Sequence, residues 1–173
     1  MRLCIVTVAA MVGITTSALA QQMTVQTYDA PITGGKGEEI GRIVIRGGAT
    51  ATVVRIAIRA GGIQPGWHGV HFHAIGDCSD HGQFEKSKAH VNPESAKHGL
   101  LNPDGPDEGD LPNVFAHNDG SVNAEIATDV LLKGEGGLMD ADGSALLIHA
   151  AEDDHTSQPI GNSGNRIACA LIK

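Results

Sequence analysis

Short runs of alternating apolar and polar residues, separated by glycine-rich turns, fill most of this chain. In I-G-R-I-V-I-R (40–46), Ile43 and Ile45 are set against Arg42, Val44 and Arg46, the period-2 signature of a half-buried strand. T-V-V-R-I-A-I-R (52–59) puts Val54, Ile56 and Ile58 on one face and Arg55 and Arg59 on the other. Gln21 to Ala30 alternates more loosely and predicts an opening strand, with a turn at 33–37. Trp67 to Cys78 contains a further strand, and Val114 to His117 is expected to pair with Ser121 to Thr128 across an Asn118-Asp119-Gly120 turn. Ser144 to His149 reads as a buried strand and Arg166 to Ile172 as the last one. About eight strands with almost no helix predict an all-β fold, a two-sheet sandwich or flattened barrel.

Two stretches break the pattern. Residues 77–110 and 150–165 hold Gly, Pro, Asp, Ser and His without sustained periodicity. A compact domain keeps loops this long chiefly when they have a function. The first contains His90, His98, Asp107 and Asp110, so a metal ion is expected to order a loop that has no core of its own.

The first twenty residues are expected to lie outside the fold. Arg2 is a positive start, Leu3 to Ile14 an apolar run too short to span a bilayer, and Ala18-Leu19-Ala20 a small-residue cleavage site. Residues 1–20 therefore read as a signal peptide and 21–173 as one domain, located in a periplasm or secreted. The net charge is −8, and becomes one unit more negative when Arg2 leaves with the signal. That argues against nucleic acid and anionic membrane as partners. Cys4 falls in the leader, leaving Cys78 and Cys169. An even pair in an exported chain reads as one disulfide, the alternative being two free buried thiols.

The chemistry gathers around W-H-G-V-H-F-H-A-I-G-D-C (67–78). On a strand, His71 and His73 point the same way while Val70 and Phe72 turn to the other face, and two imidazoles so spaced chelate copper or zinc. Taken alone, His-x-His fits an incidental pair of exposed histidines equally well, and the remaining histidines decide the matter. His68 is expected to be a structural histidine tying loops together, His81 and His117 to lie on the surface, and Gly69 to allow a close backbone approach.

Seven ordered blocks carry a resemblance: H-G-V-H-F-H (68–73), G-D-C (76–78), K-A-H-V-N-P (88–93), H-G-L-L-N-P-D-G-P (98–106), G-D-L-P-N (109–113), I-H-A-A-E-D-D (148–154) and G-N-S-G-N-R-I-A-C (161–169). The chain resembles the copper/zinc superoxide dismutase family, in its bacterial exported form. The resemblance implies an eight-stranded, immunoglobulin-like Greek-key sandwich or flattened barrel with two long functional loops. It implies copper held by His71, His73, His90 and His149, with His90 bridging to zinc. His98 and Asp110 match zinc ligands. Asp153 matches the carboxylate joining His71 to His98, Arg166 the residue that receives the substrate anion, and Cys78 with Cys169 the disulfide.

The implied activity is dismutation of superoxide by alternately reduced and oxidised copper, in a monomer or homodimer, with a local positive field offsetting the negative chain. One position departs from the pattern. Three residues before Asp110, where the family carries a third zinc histidine, stands Asp107. The expected zinc set is therefore His90, His98, Asp107 and Asp110, weaker and more acid-sensitive than one with three imidazoles; the alternative is that Asp107 is a solvated loop residue and the zinc site is weak or empty. His155 is not expected to stand in. Two rival readings are a copper-buffering protein without turnover and a zinc-only structural sandwich; Arg166, Asp153 and His90 argue against the first, and the four copper-type histidines against the second.

Overall fold

The computed structural model describes residues 24–134 and 136–173. The leader expected at residues 1–20 lies outside them. Eight strands follow in order: β1 (Gln26–Gly34), β2 (Glu39–Gly47), β3 (Thr52–Ile58), β4 (Gly66–His73), β5 (Asp110–Ala116), β6 (Val122–Thr128), β7 (Ser144–His149) and β8 (Arg166–Ile172). All pair antiparallel in one sheet, in the order β5-β4-β7-β8-β1-β2-β3-β6. The seam falls between β5 and β6, which are joined by a tight turn in which the His117 N–H donates to Ser121 O at 2.8 Å. The sheet is thus a nearly closed, flattened barrel with Greek-key strand order.

The predicted alternation sets what lies inside. Ile43 and Ile45 of β2, Val54 and Ile56 of β3, Val122 of β6, and Val70 and Phe72 of β4 are all buried in one core with Leu146, Ile148, Ala168 and Ala170. Arg42, Arg46 and Arg55 face solvent from the same strands. Each buried Val, Ile, Leu or Phe side chain contributes about 1.5–3 kcal/mol relative to exposure.

Two expectations need correction. The opening strand runs to Gly34 rather than ending at Ala30, so Thr33-Gly34 belongs to a strand and the turn lies beyond it. After a register shift at Ile32, Thr33 still pairs with Glu39 of β2, and on the other edge Thr33 and Gly34 pair with Cys169 and Ala168 of β8, a second partner that extends the strand. β5 begins at Asp110 rather than Val114, because Asp110 pairs with His71 and Leu111 with Val70. The last residue assigned to the loop is therefore part of the sheet. A single 3₁₀ turn, Glu85–Ser87, interrupts the first long loop.

The second face of β4, β7 and β8 gives the site its shelter. Ala145, Leu147 and Cys169 point away from the barrel core and pack against Phe84 of the long loop in a small separate cluster. A disulfide, Cys78–Cys169, pins that loop to β8 across 91 residues of sequence. In a chain-entropy treatment, closing such a loop contributes about 4–5 kcal/mol. The loop is therefore a second, covalently fastened layer over one part of the barrel wall.

Candidate metal centre

His71 and His73 stand on that covered wall, opposite Leu147 and Ala145 of β7. They are not solvent-facing, as residues projecting outward from a barrel would be; the loop layer buries both completely. The edge of β4 away from β7 carries loop backbone here. His73 bridges to His90, the Val91 N–H donates to Phe72 O at 2.9 Å, and the Phe72 N–H donates to Gly109 O at 2.8 Å. This pairing brings His90 against the strand histidines, with ring centroids 4.3 Å from His71 and 5.0 Å from His73. His149 ends β7 on the same face, 4.7 Å from His71 between ring centroids. A bulge after Ile148 aligns it with Arg166 of β8, and bulges characteristically re-aim a side chain beside a functional site.

One nitrogen of each imidazole is occupied and the other is not. His73 Nδ1 lies 2.7 Å from Lys88 O, His149 Nδ1 2.9 Å from Gly164 O, and His71 Nε2 2.7 Å from Asp153 Oδ2. Those contacts assign the N–H to the occupied nitrogen, since a carbonyl or carboxylate oxygen only accepts. The remaining atoms, His71 Nδ1, His73 Nε2, His90 Nε2 and His149 Nε2, are buried with no hydrogen-bond partner among the described residues. A buried lone pair without a partner is costly. The donors of His71, His73 and His149 lie within 4.8 Å of one another. Burial pushes the pKa of all three rings down, that of His149 to about 3, so each is a neutral donor at pH 7. Neutral imidazoles around one point fit copper in either oxidation state.

A second cluster adjoins the first through His90. Its Nδ1 faces Asp107 Oδ2 at 3.0 Å and Asp110 Oδ1 at 3.5 Å. His98 Nδ1 and Asp110 Oδ1 are 2.5 Å apart, yet neither atom makes a hydrogen bond of acceptable geometry. The donor atoms of His90, His98, Asp107 and Asp110 lie within 4.8 Å of one another, and all four residues are buried. Two imidazoles and two carboxylates suit zinc. The side chain of Asp107 thus reaches the second cluster, as the substitution at its position requires. His155 does not. Its Nε2 is 3.1 Å from Asn113 Nδ2, and the ring sits behind Asp153, outside both clusters.

Asp153 ties the two clusters together. Its Oδ2 accepts from His71 Nε2, and its Oδ1 lies 3.2 Å from His98 Nε2. Burial raises a carboxyl pKa, but the bonds from His71 and His98 and the His155 N–H outweigh it and hold Asp153 well below the usual range. Two residues given no role in the sequence reading position this carboxylate. The Asn113 side chain clamps its backbone, accepting from the Asp153 N–H at 2.9 Å and donating to Asp153 O at 2.8 Å. Gly161, at φ 59°, leaves the space that Asp153 Oδ1 occupies; a Cβ there would overlap it at 1.6 Å. Both lie in motif blocks, G-D-L-P-N and G-N-S-G-N, but only the folded geometry shows what they touch. Gly69 meets its expectation, with a Cβ position 2.9 Å from Ser163 Cβ. His68 is the structural tie, placing Nδ1 2.7 Å from His149 O and Nε2 2.8 Å from Gln64 O.

The two clusters differ in charge. Burial lowers the pKa of His98, but its close contacts with the Asp110 and Asp153 carboxylates prevail and raise it to about 10; His90 is raised by Asp107 and Asp110 in the same way. Without metal, protons neutralise the carboxylates where a cation would. His98 then stabilises the metal-free fold below pH 6.5 and loses that contribution as pH rises through about 10. His149, Asp110 and Asp153, with depressed pKa values, lose theirs as pH falls. The unfolding midpoint of chelator-treated protein should therefore peak near neutrality and fall toward both acid and alkali. A midpoint rising steadily to pH ~10 would contradict this.

Arg166 begins β8 beside this assembly. Its Nη1 donates to Phe84 O at 2.7 Å and Ser87 Oγ at 3.2 Å, and its Nη2 to Lys88 O at 2.7 Å. It lines a cleft of about 430 Å³ together with His73, His90 and His98.

A barrel wall that gathers buried imidazoles and carboxylates into two adjoining donor clusters defines a metalloprotein with a two-ion centre. Residues 39–172 match the family model for copper/zinc superoxide dismutase (SODC). The superoxide dismutase [Cu-Zn] of Caulobacter vibrioides is 44% identical over 149 residues, covering 83% of this chain and 84% of that protein. Superoxide dismutase [Cu-Zn] 1 of Aquifex aeolicus is 39% identical, covering 83% and 86%. The crystal structure of a SOD-like protein from Bacillus subtilis superposes with a TM-score of 0.79 at 31% identity, covering 87% of this chain and all of that one. The chain belongs to the copper/zinc superoxide dismutase family.

Proposed function

We propose that His71, His73, His90 and His149 hold copper, that His90, His98, Asp107 and Asp110 hold zinc, and that Arg166 receives the reacting anion. The chain is a superoxide dismutase of the Cu-Zn type; copper and zinc are its cofactors and superoxide its substrate. The observation that carries the ligand assignment is the set of four orphaned imidazole nitrogens on one buried wall.

Bound copper supplies one-electron redox chemistry, so that one superoxide leaves as dioxygen and a second, with two protons, as hydrogen peroxide. The residues supply the rest. Lys88 O and Gly164 O fix the tautomers of His73 and His149, and Asp153 that of His71, so their lone pairs are aimed before any ion arrives. Arg166 keeps a guanidinium at the cleft wall, held rigid by three acceptors. Superoxide is small and anionic, and a fixed guanidinium binds such an ion by charge and directed N–H groups. His90 Nε2 is the atom that holds a proton between the half-reactions and gives it to the reduced product. Asp107 and Asp110, on the Nδ1 side of the same ring, keep it basic enough to do so.

Export to the periplasm or outside is part of the proposal. It is supported by the leader-like residues 1–20 and by the disulfide, and no helix among the described residues is long and apolar enough to cross a membrane. The working form is a monomer or homodimer, which sedimentation of the mature protein distinguishes.

Copper and zinc stoichiometry of the mature protein, measured beside a superoxide-consumption assay, tests the function. Copper uptake with turnover supports it. Copper without turnover would favour buffering, and no copper uptake would favour a zinc-only scaffold. For zinc, Asp107→His should tighten binding on the order of tenfold in a chelator competition at neutral pH, because imidazole is the stronger zinc donor. Unchanged affinity would remove Asp107 from the ligand set.

A further inference from the structure

Lys88 caps the 3₁₀ turn with φ 66° and ψ −147°. That region is essentially reserved for glycine, because a Cβ there crowds the backbone. The backbone has a reason to be there. Lys88 O accepts from both His73 Nδ1 and Arg166 Nη2, each at 2.7 Å, and the Lys88 N–H donates to Glu85 O at 3.0 Å. One peptide thus orients a copper-side histidine and the anion-receiving arginine. Glycine would perform both tasks without strain. Lysine is the costly choice, so its side chain must contribute something glycine cannot.

The side chain is exposed and lines the same cleft as His73, His90, His98 and Arg166. Glu85 lines it too, and the whole chain carries a net charge of −8. Asp107 lines it as well, so Arg166 alone leaves the lining with an excess of carboxylates, and Lys88 brings its cations and carboxylates to two against two. We propose that Lys88 is a second cation for the reaction, drawing small anions into the cleft toward Arg166, and that this role is why a strained backbone position carries lysine. The inference rests on the dismutase reading.

The test uses the mature protein loaded with copper and zinc, and azide as a small anionic probe of bound copper. Titrations are followed by the copper visible absorption. Lys88→Gln should weaken azide binding about 3- to 10-fold and Lys88→Glu more, with metal content unchanged. The dependence of kcat/KM on ionic strength should shift toward rates that rise with salt, as expected when an attractive charge is lost. Lys88→Gly should weaken azide as much as Lys88→Gln while raising the unfolding midpoint of the metal-free protein by about 2–4 °C. Azide affinity within twofold of wild type in both the Gln and Glu variants, or restored in the Gly variant, would overturn the steering role. No rise in midpoint would overturn the strain argument. A wild-type protein that bound copper but neither azide nor superoxide would overturn the dismutase reading itself, and Lys88 with it.

Discussion

Replacing His149 with alanine should abolish copper binding while leaving a folded, zinc-binding protein. His149 Nε2 is one of the four orphaned nitrogens, and its donor is not part of the cluster formed by His90, His98, Asp107 and Asp110. Removing it leaves the other copper-side donors without a partner on the β7 side, so copper affinity should fall by several orders of magnitude and turnover with it. The fold should survive. Truncating a buried side chain of this size costs about 2–5 kcal/mol, within the ~5–15 kcal/mol typical of a domain. His68 Nδ1 still has the His149 carbonyl, because that contact is to the backbone. The disulfide and the strand register around residue 149 also remain. Metal analysis after equilibration with copper and zinc, with circular dichroism as the folding control, gives the result. Wild-type copper content in the variant would remove His149 from the site, and the redox reading would lose its basis.

The barrel was legible in the sequence because period-2 alternation reports directly on burial. β7 and β8 run over the residues expected, Ser144–His149 and Arg166–Ile172, since both are apolar runs bounded by turn residues. β5 begins four residues before the alternation predicts, because pairing partners lie outside the alternation rule. Asp110 is a poor strand former and is extended there because it pairs with His71 of β4, while Pro112 and Asn113 fall at the register shift between the Leu111–Val70 and Val114–His68 pairs. The site was legible as residue types in the loops, and the family resemblance assigned their roles. What neither alternation nor motif could supply is the support around the ligands. Asn113 reaches Asp153 across 40 residues, and Lys88 O serves His73 and Arg166 at separations of 15 and 78 residues. Such contacts follow from the path of the loop over the barrel, which the disulfide and the backbone bonds from Phe72 to Gly109 and Val91 define.

Reversing the charge at Arg166 should separate catalysis from metal binding. Arg166→Glu leaves every orphaned nitrogen and carboxylate of the two clusters in place, so copper and zinc content should match wild type. The anion, however, would meet a carboxylate beside Glu85 where it had met a guanidinium. Exchanging an attractive for a repulsive charge at a recognition site changes encounter rates by orders of magnitude, so kcat/KM should fall about 10- to 100-fold. Its response to salt should change direction, with screening helping the variant. Part of the loss arises from structure. The guanidinium ties β8 to Phe84 O, Ser87 Oγ and Lys88 O, and a carboxylate would face those acceptors without a proton to offer. Arg166→Gln is the control, because its amide can still donate to them without carrying charge. If the Gln variant loses most of the rate but keeps a normal unfolding midpoint, charge is the larger effect. If Arg166→Glu proceeds at the wild-type rate with full metal content, the anion enters by a path that does not pass this residue.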